Sequence, residues 1–176
     1  MDKLLLKPII SDEDKNIFIS EIQEAFQNAY VEEFGAFEET ILPTSDIEES
    51  FNAKGSEAYF AEIDEEKVGG AVIVIDDETG YNSLHLLYVK SGAQNSGYGF
   101  KIWNAIEELH PETKIWETHT PYFDKRNIHF YVNRCGFKIV EFFNPKHKDP
   151  HLIEDSAGNI PEENNYFFRF EKEMRN

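Results

Sequence analysis

A chain of 176 residues with 40 % hydrophobic residues, 15 Phe and one cysteine is long enough to bury a sizeable core, and is expected to form a single domain, 1–176, without a disulfide framework. Its formal net charge is −17, unevenly laid out: residues 1–89 hold 21 Asp/Glu against 5 Lys, 90–138 hold 5 against 7 Lys/Arg, and 139–176 hold 8 against 5. That balance argues against general binding to nucleic acid or an anionic membrane surface, no window approaches ~20 consecutive apolar residues, and an N-terminal apolar run broken by Lys7 and Pro8 points to a cytoplasmic protein.

Lys3–Ile10 reads as a first strand. Ser11 is a helix N-cap with Asp14 three residues on, and acidic residues crowd the positive end of the helix dipole. Ile17, Phe18, Ile22, Ala25, Phe26 and Ala29 then recur at helical spacing, up to fraying near Val31–Phe34 before Gly35. A second helix is signalled by TSDIEESF, with Ser45 or Thr44 as cap, Glu48 in the capping-box position and Gly55 at the end. Glu57–Ile63, Val68–Ile75 and Asn82–Val89 are strand-like, joined by the turns DEEK and DDETG. The helix after Gly97 puts Phe100, Ile102, Trp103, Ile106 and Leu109 on its buried side, and Pro111 stops it. Lys114–Thr118 is a strand, TPYFDK a loop and Asn127–Arg134 a short helix, with Gly136 at the C-cap position. Phe137–Phe143 and Tyr166–Lys172 close the chain as strands on either side of the 22 residues Asn144–Asn165, a length that marks a functional loop or a disordered segment. The order β-α-α-β-β-β-α-β-α-β-β describes an α+β domain on one largely antiparallel sheet. The unit from Leu84 to Thr118 is long enough for a right-handed parallel crossover.

The stretch QNSGYG, Gln94 to Gly99, joins a strand to a helix N-terminus. Backbone N–H groups left unpaired there form an anion-binding concavity, Gly97 and Gly99 remove side chains that would hold a phosphate off, and Lys90 and Lys101 add positive charge. The pattern is neither a Walker P-loop nor a G-x-G-x-x-G fingerprint.

YVKSGAQNSGYGFKIW resembles the Gln/Arg-x-x-Gly-x-Gly/Ala turn of the GNAT N-acetyltransferase superfamily, with Gln94, Gly97 and Gly99 in the patterned places. NIHFYVNRCGFKIVEF is similar to the family's later helix–Gly-Phe–strand segment, with Gly136 and Phe137 as its pair. The resemblance implies a GNAT-like mixed, largely antiparallel central sheet with a splayed parallel strand pair, flanked by about four helices, and an enzyme that binds acetyl-CoA as co-substrate. It places the pyrophosphate on Gln94, Asn95, Ser96, Gly97, Tyr98, Gly99 and Lys101, and the pantetheine arm against backbone near Leu87, Tyr88 and Val89. An amine would attack the thioester and release coenzyme A thiol, with a backbone N–H near Val89 polarising the carbonyl.

For the acid that protonates the thiolate, the resemblance carries over Tyr131. The family pattern has Tyr four residues before Gly, whereas Tyr131 stands five before Gly136 and Val132 holds the fourth place. One residue is ~100° around a helix, so either this helix ends a residue later or water protonates the thiolate. Asn127 opens the same helix, where capping it or contacting the coenzyme are both open. Glu117, His119 and His85 are candidates for receiving the amine proton; Glu117 leads because a carboxylate also orients an ammonium group, and His85 is expected to share a face with Leu87 and Val89. Cys135, Trp103 and Trp116 read as core, and His147 and His151 have no companions that would make a metal site.

In this family the first two helices line the acceptor cleft. Here they bring Glu32, Glu33, Glu38, Glu39, Glu48 and Glu49, a wall that attracts a cationic small-molecule amine such as a polyamine, an aminosugar or a lysine-like group. Two other readings stay open: a non-catalytic acyl-CoA-binding or partner-binding domain on the same fold, and a protein N-acetyltransferase. The 144–165 loop either closes a groove or forms a homodimer contact.

Overall fold

The computed structural model describes residues 3–94, 96–150 and 166–174; Asn95 and residues 151–165 of the long loop lie outside the described residues. Met1–Thr113 and Lys114–Asn176 form two compact units. No helix among the described residues is long and apolar enough to cross a membrane.

In the first unit, β1 (Leu4–Pro8), β2 (Ser56–Ile63), β3 (Glu66–Val74) and β4 (Tyr81–Val89) make antiparallel pairs in that order. Ile63 pairs with Glu66, so Asp64 and Glu65 alone turn the β2–β3 hairpin, both at positive φ (52° and 68°), as a tight hairpin with the strands' own twist requires. Gly69 and Gly70 of β3 let two helices approach. A Cβ at Gly70 would lie 2.9 Å from the Phe18 ring of α1 (Asp12–Phe34), and one at Gly69 would lie 3.0 Å from Ile102 of α3 (Tyr98–Leu109). Each face of β3 is thereby covered. Phe18, Ile22, Ala25, Phe60, Val72, Leu86 and Tyr88 form the core under α1, joined by Ile47 of α2 (Thr44–Asn52).

The helix signals hold for α1, where the Ser11 hydroxyl accepts the Asp14 N–H at 3.1 Å and Gly35 (φ 91°) ends the helix. They fail for the cap of α2. Pro43 precedes the helix and its carbonyl accepts the N–H groups of Asp46 and Ile47, so neither Thr44 nor Ser45 caps it, and the Thr44 hydroxyl instead accepts from Gln23 of α1 at 2.9 Å. The helix ends at Asn52, before Gly55. Leu109, expected in the core, is 44 % exposed in the last turn of α3.

In the second unit β7 (Phe167–Glu173) lies between β5 (Ile115–Pro121) and β6 (Lys138–Phe143), antiparallel to both. The strand at β5 runs three residues past the expected Thr118, because His119, Thr120 and Pro121 stay in register with Arg169, Phe168 and Phe167. Alternation along β5 is strict: Trp116, Thr118 and Thr120 are buried, while Glu117 and His119 stand on the other face. The helix α4 (Lys125–His129) passes directly into a π-helical turn, Phe130–Arg134, before Gly136 (φ 85°) reverses the chain.

Candidate functional site

β4 delivers the chain to the glycine turn. Ala93 N–H donates to the Lys90 carbonyl at 2.9 Å, then Gly97 takes the left-handed conformation (φ 75°) as the residue before α3. Among the described residues no side chain caps this helix, and the first backbone bond returning to the cap is Lys101 N–H to Gly97 C=O at 3.2 Å. Among the described residues, a Cβ built on Gly92 or Gly97 would meet nothing within 4 Å. Tyr98 and Gly99 open the helix, where the first N–H groups have no acceptor within it, Gln94 is partly buried and Ser96 is exposed. A bare, positively polarised helix end with glycine in front suits a phosphate oxygen. Of the two nearby lysines, Lys90 is paired with Glu21 at 3.6 Å, and Lys101 lies over the Tyr98 ring, 5.6 Å from its centroid.

The strand leading in carries a β-bulge. Val72 pairs with Leu86 but Ile73 pairs with Leu84, leaving His85 as an extra residue. The bulge reverses the alternation. Asn82 bonds Thr113 beyond α3, whereas Leu86 and Tyr88 pack under α1. His85 lies within 3.3 Å of the Ser50 hydroxyl on α2, so it does not share a face with Leu87 and Val89 as strict alternation predicts. Lys90 N–H donates to Val68 C=O at 2.8 Å, and with Gly69 opposite Val89 this fixes the ladder. The backbone groups of Tyr88 pair with β3, while the N–H and C=O of Leu87 and Val89 point away from β3. The Tyr88 side chain turns into the core and donates to Glu21 at 2.7 Å, where Lys67 and Lys90 also gather.

Tyr131 occupies the π turn. Cys135 N–H donates to Phe130 C=O and Phe137 N–H to Tyr131 C=O, both at 2.9 Å, so the helix takes in one more residue than an α-helix would between Tyr131 and Gly136. The five-residue spacing is absorbed in that widened turn, and the tyrosine faces inward, 6 % exposed, against Phe137 and Phe170. Its hydroxyl is hydrogen-bonded to Thr118 on the buried face of β5, a partner that the alternation of IWETHT makes legible once Tyr131 is placed. Burial pushes the Tyr131 hydroxyl well above the ordinary tyrosine range; the Cys135 thiol adds to this and the Thr118 bond works against it. The raised pKa keeps this hydroxyl protonated at physiological pH. Asn127 does not cap α4: the Asp124 carboxylate does, accepting the Asn127 N–H at 3.1 Å, because Asp124 stands one residue before the helix and Asn127 already lies inside it.

Glu117 projects from the opposite face of β5. His119 Nε2 lies 3.5 Å from one of its oxygens and Arg169 Nη1 3.9 Å from the other. Arg169 also donates to Glu141 at 2.8 Å and to Glu171 at 2.5 Å. His147 reaches Glu141 at 2.6 Å, and its hydrogen bond with that of Arg169 holds the Glu141 carboxyl below the usual range. Three carboxylates thus share one guanidinium on this face. Glu32, Glu33, Glu38, Glu39, Glu48 and Glu49 are all exposed, on α1, α2 and the connection between them.

A family profile described as Acetyltransferase (GNAT) family matches residues 20–137. The uncharacterized protein YrkN from Bacillus subtilis (strain 168) is 44 % identical over 98 % of this chain and 95 % of its own length. An acetyltransferase from Bacillus subtilis solved in complex with CoA has the same fold, with a TM-score of 0.64 at 18 % identity, covering 99 % of this chain and 100 % of that one. The Elizabethkingia anophelis GNAT acetyltransferase solved with acetyl-CoA bound gives 0.63 at 15 % identity (98 % and 99 % covered), and the ribosomal-protein-S18-alanine N-acetyltransferase of Escherichia coli gives 0.64 at 9 % (100 % and 96 %). With its glycine turn, its bulged β4 and a profile match over most of its length, the chain belongs to the acetyltransferase (GNAT) family.

Proposed function

We propose that this protein transfers an acetyl group from acetyl-CoA to the amine of a small cationic metabolite. The observation that carries the reading is the glycine-fronted N-terminus of α3, uncapped among the described residues, in a chain of this family. Gln94, Ser96, Gly97, Tyr98, Gly99 and Lys101 would hold the pyrophosphate, and the outward N–H and C=O of Leu87 and Val89 the pantetheine amides. Bound acetyl-CoA supplies the acetyl group as a thioester. The N–H of Val89 donates to the carbonyl oxygen, and the neutral amine attacks the carbonyl carbon as the carbon–sulfur bond breaks. Tyr131 gives its proton to the departing thiolate, and Thr118 orients that hydroxyl. Glu117 receives the proton lost by the amine nitrogen, through water. The exposed glutamates of α1 and α2 favour a cationic acceptor over a neutral one.

A coenzyme-binding domain without turnover is the second reading; the π turn that takes up the five-residue Tyr131–Gly136 spacing favours the catalytic one. Release of free thiol from acetyl-CoA, followed across a panel of cationic and neutral amines with the N-acetyl product identified by mass, tests the proposal. Amine-dependent release is expected; acetyl-CoA binding with no release for any amine would favour the non-catalytic reading.

A further inference from the structure

Asn28 of α1 donates from its side-chain amide to the Ser91 hydroxyl at 3.1 Å. Ser91 stands two residues past Val89, the last residue of β4, at the entrance of the segment that runs through Gly97 into α3. Among the described residues, this is the one side-chain hydrogen bond that reaches any part of that segment.

A second tie lies behind it on the same helix. Glu21 is seven residues before Asn28, which is ~20° away around the helix axis and so on the same flank of α1. Its carboxylate lies 3.6 Å from Lys90 Nζ and accepts the Tyr88 hydroxyl at 2.7 Å. One flank of α1 therefore holds three residues of the short run from Tyr88 to Ser91: two through Glu21 and the third through Asn28.

Beyond Ser91 the course of the chain depends on glycine. Gly92 (φ 93°) and Gly97 (φ 75°) are both left-handed, a conformation that glycine enters and leaves without steric cost. Presenting several N–H groups to one anion requires this segment in a single conformation, and fixing free backbone costs entropy at every residue. A contact made before the ligand arrives moves part of that cost from binding to folding.

We propose that Asn28 is a positioning residue for the coenzyme: through Ser91 it holds the entrance of the glycine turn against α1, so that the turn meets the pyrophosphate already ordered at that end. Its effect falls on coenzyme affinity and leaves the chemical step alone. The first helix, expected at the acceptor cleft, thereby also serves the coenzyme. This role rests on the glycine turn being the pyrophosphate site, but its test does not require turnover.

Titration calorimetry of acetyl-CoA into the full chain and into Asn28→Ala, Ser91→Ala and the double variant measures the three dissociation constants against wild type. Each single variant is expected to raise Kd about 3- to 10-fold, as loss of one hydrogen bond does. The double variant is expected to go no further, because the same bond is missing in all three. Ser91→Thr keeps the hydroxyl and is expected to stay within about twofold of wild type. S-acetylpantetheine, which has the thioester arm but no pyrophosphate, distinguishes positioning of the turn from general damage. Its Kd, followed by NMR titration, is expected to change less than about twofold in Asn28→Ala. Wild-type acetyl-CoA affinity in Asn28→Ala, additive losses in the double variant, or an equal loss for S-acetylpantetheine would each overturn the role given to Asn28. Equal acetyl-CoA affinity in wild type and Gly97→Val would instead remove the glycine turn from the coenzyme site, and this role with it.

Discussion

The carbonyl of Phe130 accepts a hydrogen bond from the amide of Cys135, five residues on, at 2.9 Å. This one widened turn lets a helix with an extra residue before Gly136 still direct Tyr131 into the buried face of β5. Deleting Asn133 would restore an ordinary α-helical spacing and is expected to leave kcat within about threefold, since the turn exists to absorb that residue. Loss of activity in a deletion variant that still folds, by circular dichroism and melting, would show that the π turn itself aims the hydroxyl.

Tyr131→Phe keeps the ring and removes the proton. As a general acid, Tyr131 is expected to be worth about 10²-fold in kcat, with acetyl-CoA affinity within about threefold of wild type. Unchanged kcat would assign thiolate protonation to water.

Thr118 gives Tyr131 its hydrogen-bond partner inside the second unit. Thr118→Val conserves volume but leaves a buried hydroxyl without that bond, an expected loss of about 1–3 kcal/mol by chemical denaturation. Thr118→Ser is expected to recover both stability and kcat. A valine variant as stable and active as wild type would mean that the hydroxyl pair does nothing for either.

Gly97 is left-handed at φ 75°, and among the described residues a Cβ there would meet nothing within 4 Å. Gly97→Ala is expected to cost about 1–2 kcal/mol of stability from backbone strain alone. A larger residue such as valine intrudes where the phosphate approaches, so its Kd for acetyl-CoA is expected to rise at least about tenfold. Titration calorimetry separates the two effects, and equal affinity in Gly97→Val would remove the turn from the coenzyme site.

His110 sits between Glu57 (2.7 Å) and Glu112 (3.0 Å) at the end of α3. Burial opposes its protonation, but the hydrogen bonds to Glu112 and Glu57 outweigh that, and its pKa lies above the ordinary 6.5. A pKa raised by folding gives stability that is fully present below the unfolded value and lost as pH rises through the folded one. The melting-temperature gap between wild type and His110→Gln is expected to be widest near pH 6 and to narrow above it. A gap that grows with pH would reverse the sign of this coupling.

Local chemistry was legible in the sequence where one residue decides it: Ser11 as a cap, the glycine turn, and the order of strands and helices. Features set by neighbouring strands or turns were less so. His85 shows no sign in sequence of being an extra residue, because the bulge exists only in its pairing with β3, and it undid the face assigned to His85. Thr44 and Ser45 look like caps, but Pro43 already has the required extended backbone and its carbonyl takes the first helical bonds. Asp124 outcompetes Asn127 as a cap by standing outside the helix rather than in its first turn. The spacing of Tyr131 from Gly136 was readable as an anomaly, but its solution by a π turn was not, since that depends on the hydrogen bonds around Phe130 and Cys135.

Acetyl-CoA binding at the glycine turn is tested most directly by thermal unfolding of the purified protein at several acetyl-CoA concentrations. A ligand that binds only the native state adds about 2.7 kcal/mol at ~100 times its dissociation constant, so the predicted result is a melting temperature that climbs with acetyl-CoA and does so far less in Gly97→Val. No shift at millimolar acetyl-CoA would contradict the central claim that the turn before α3 is a coenzyme site.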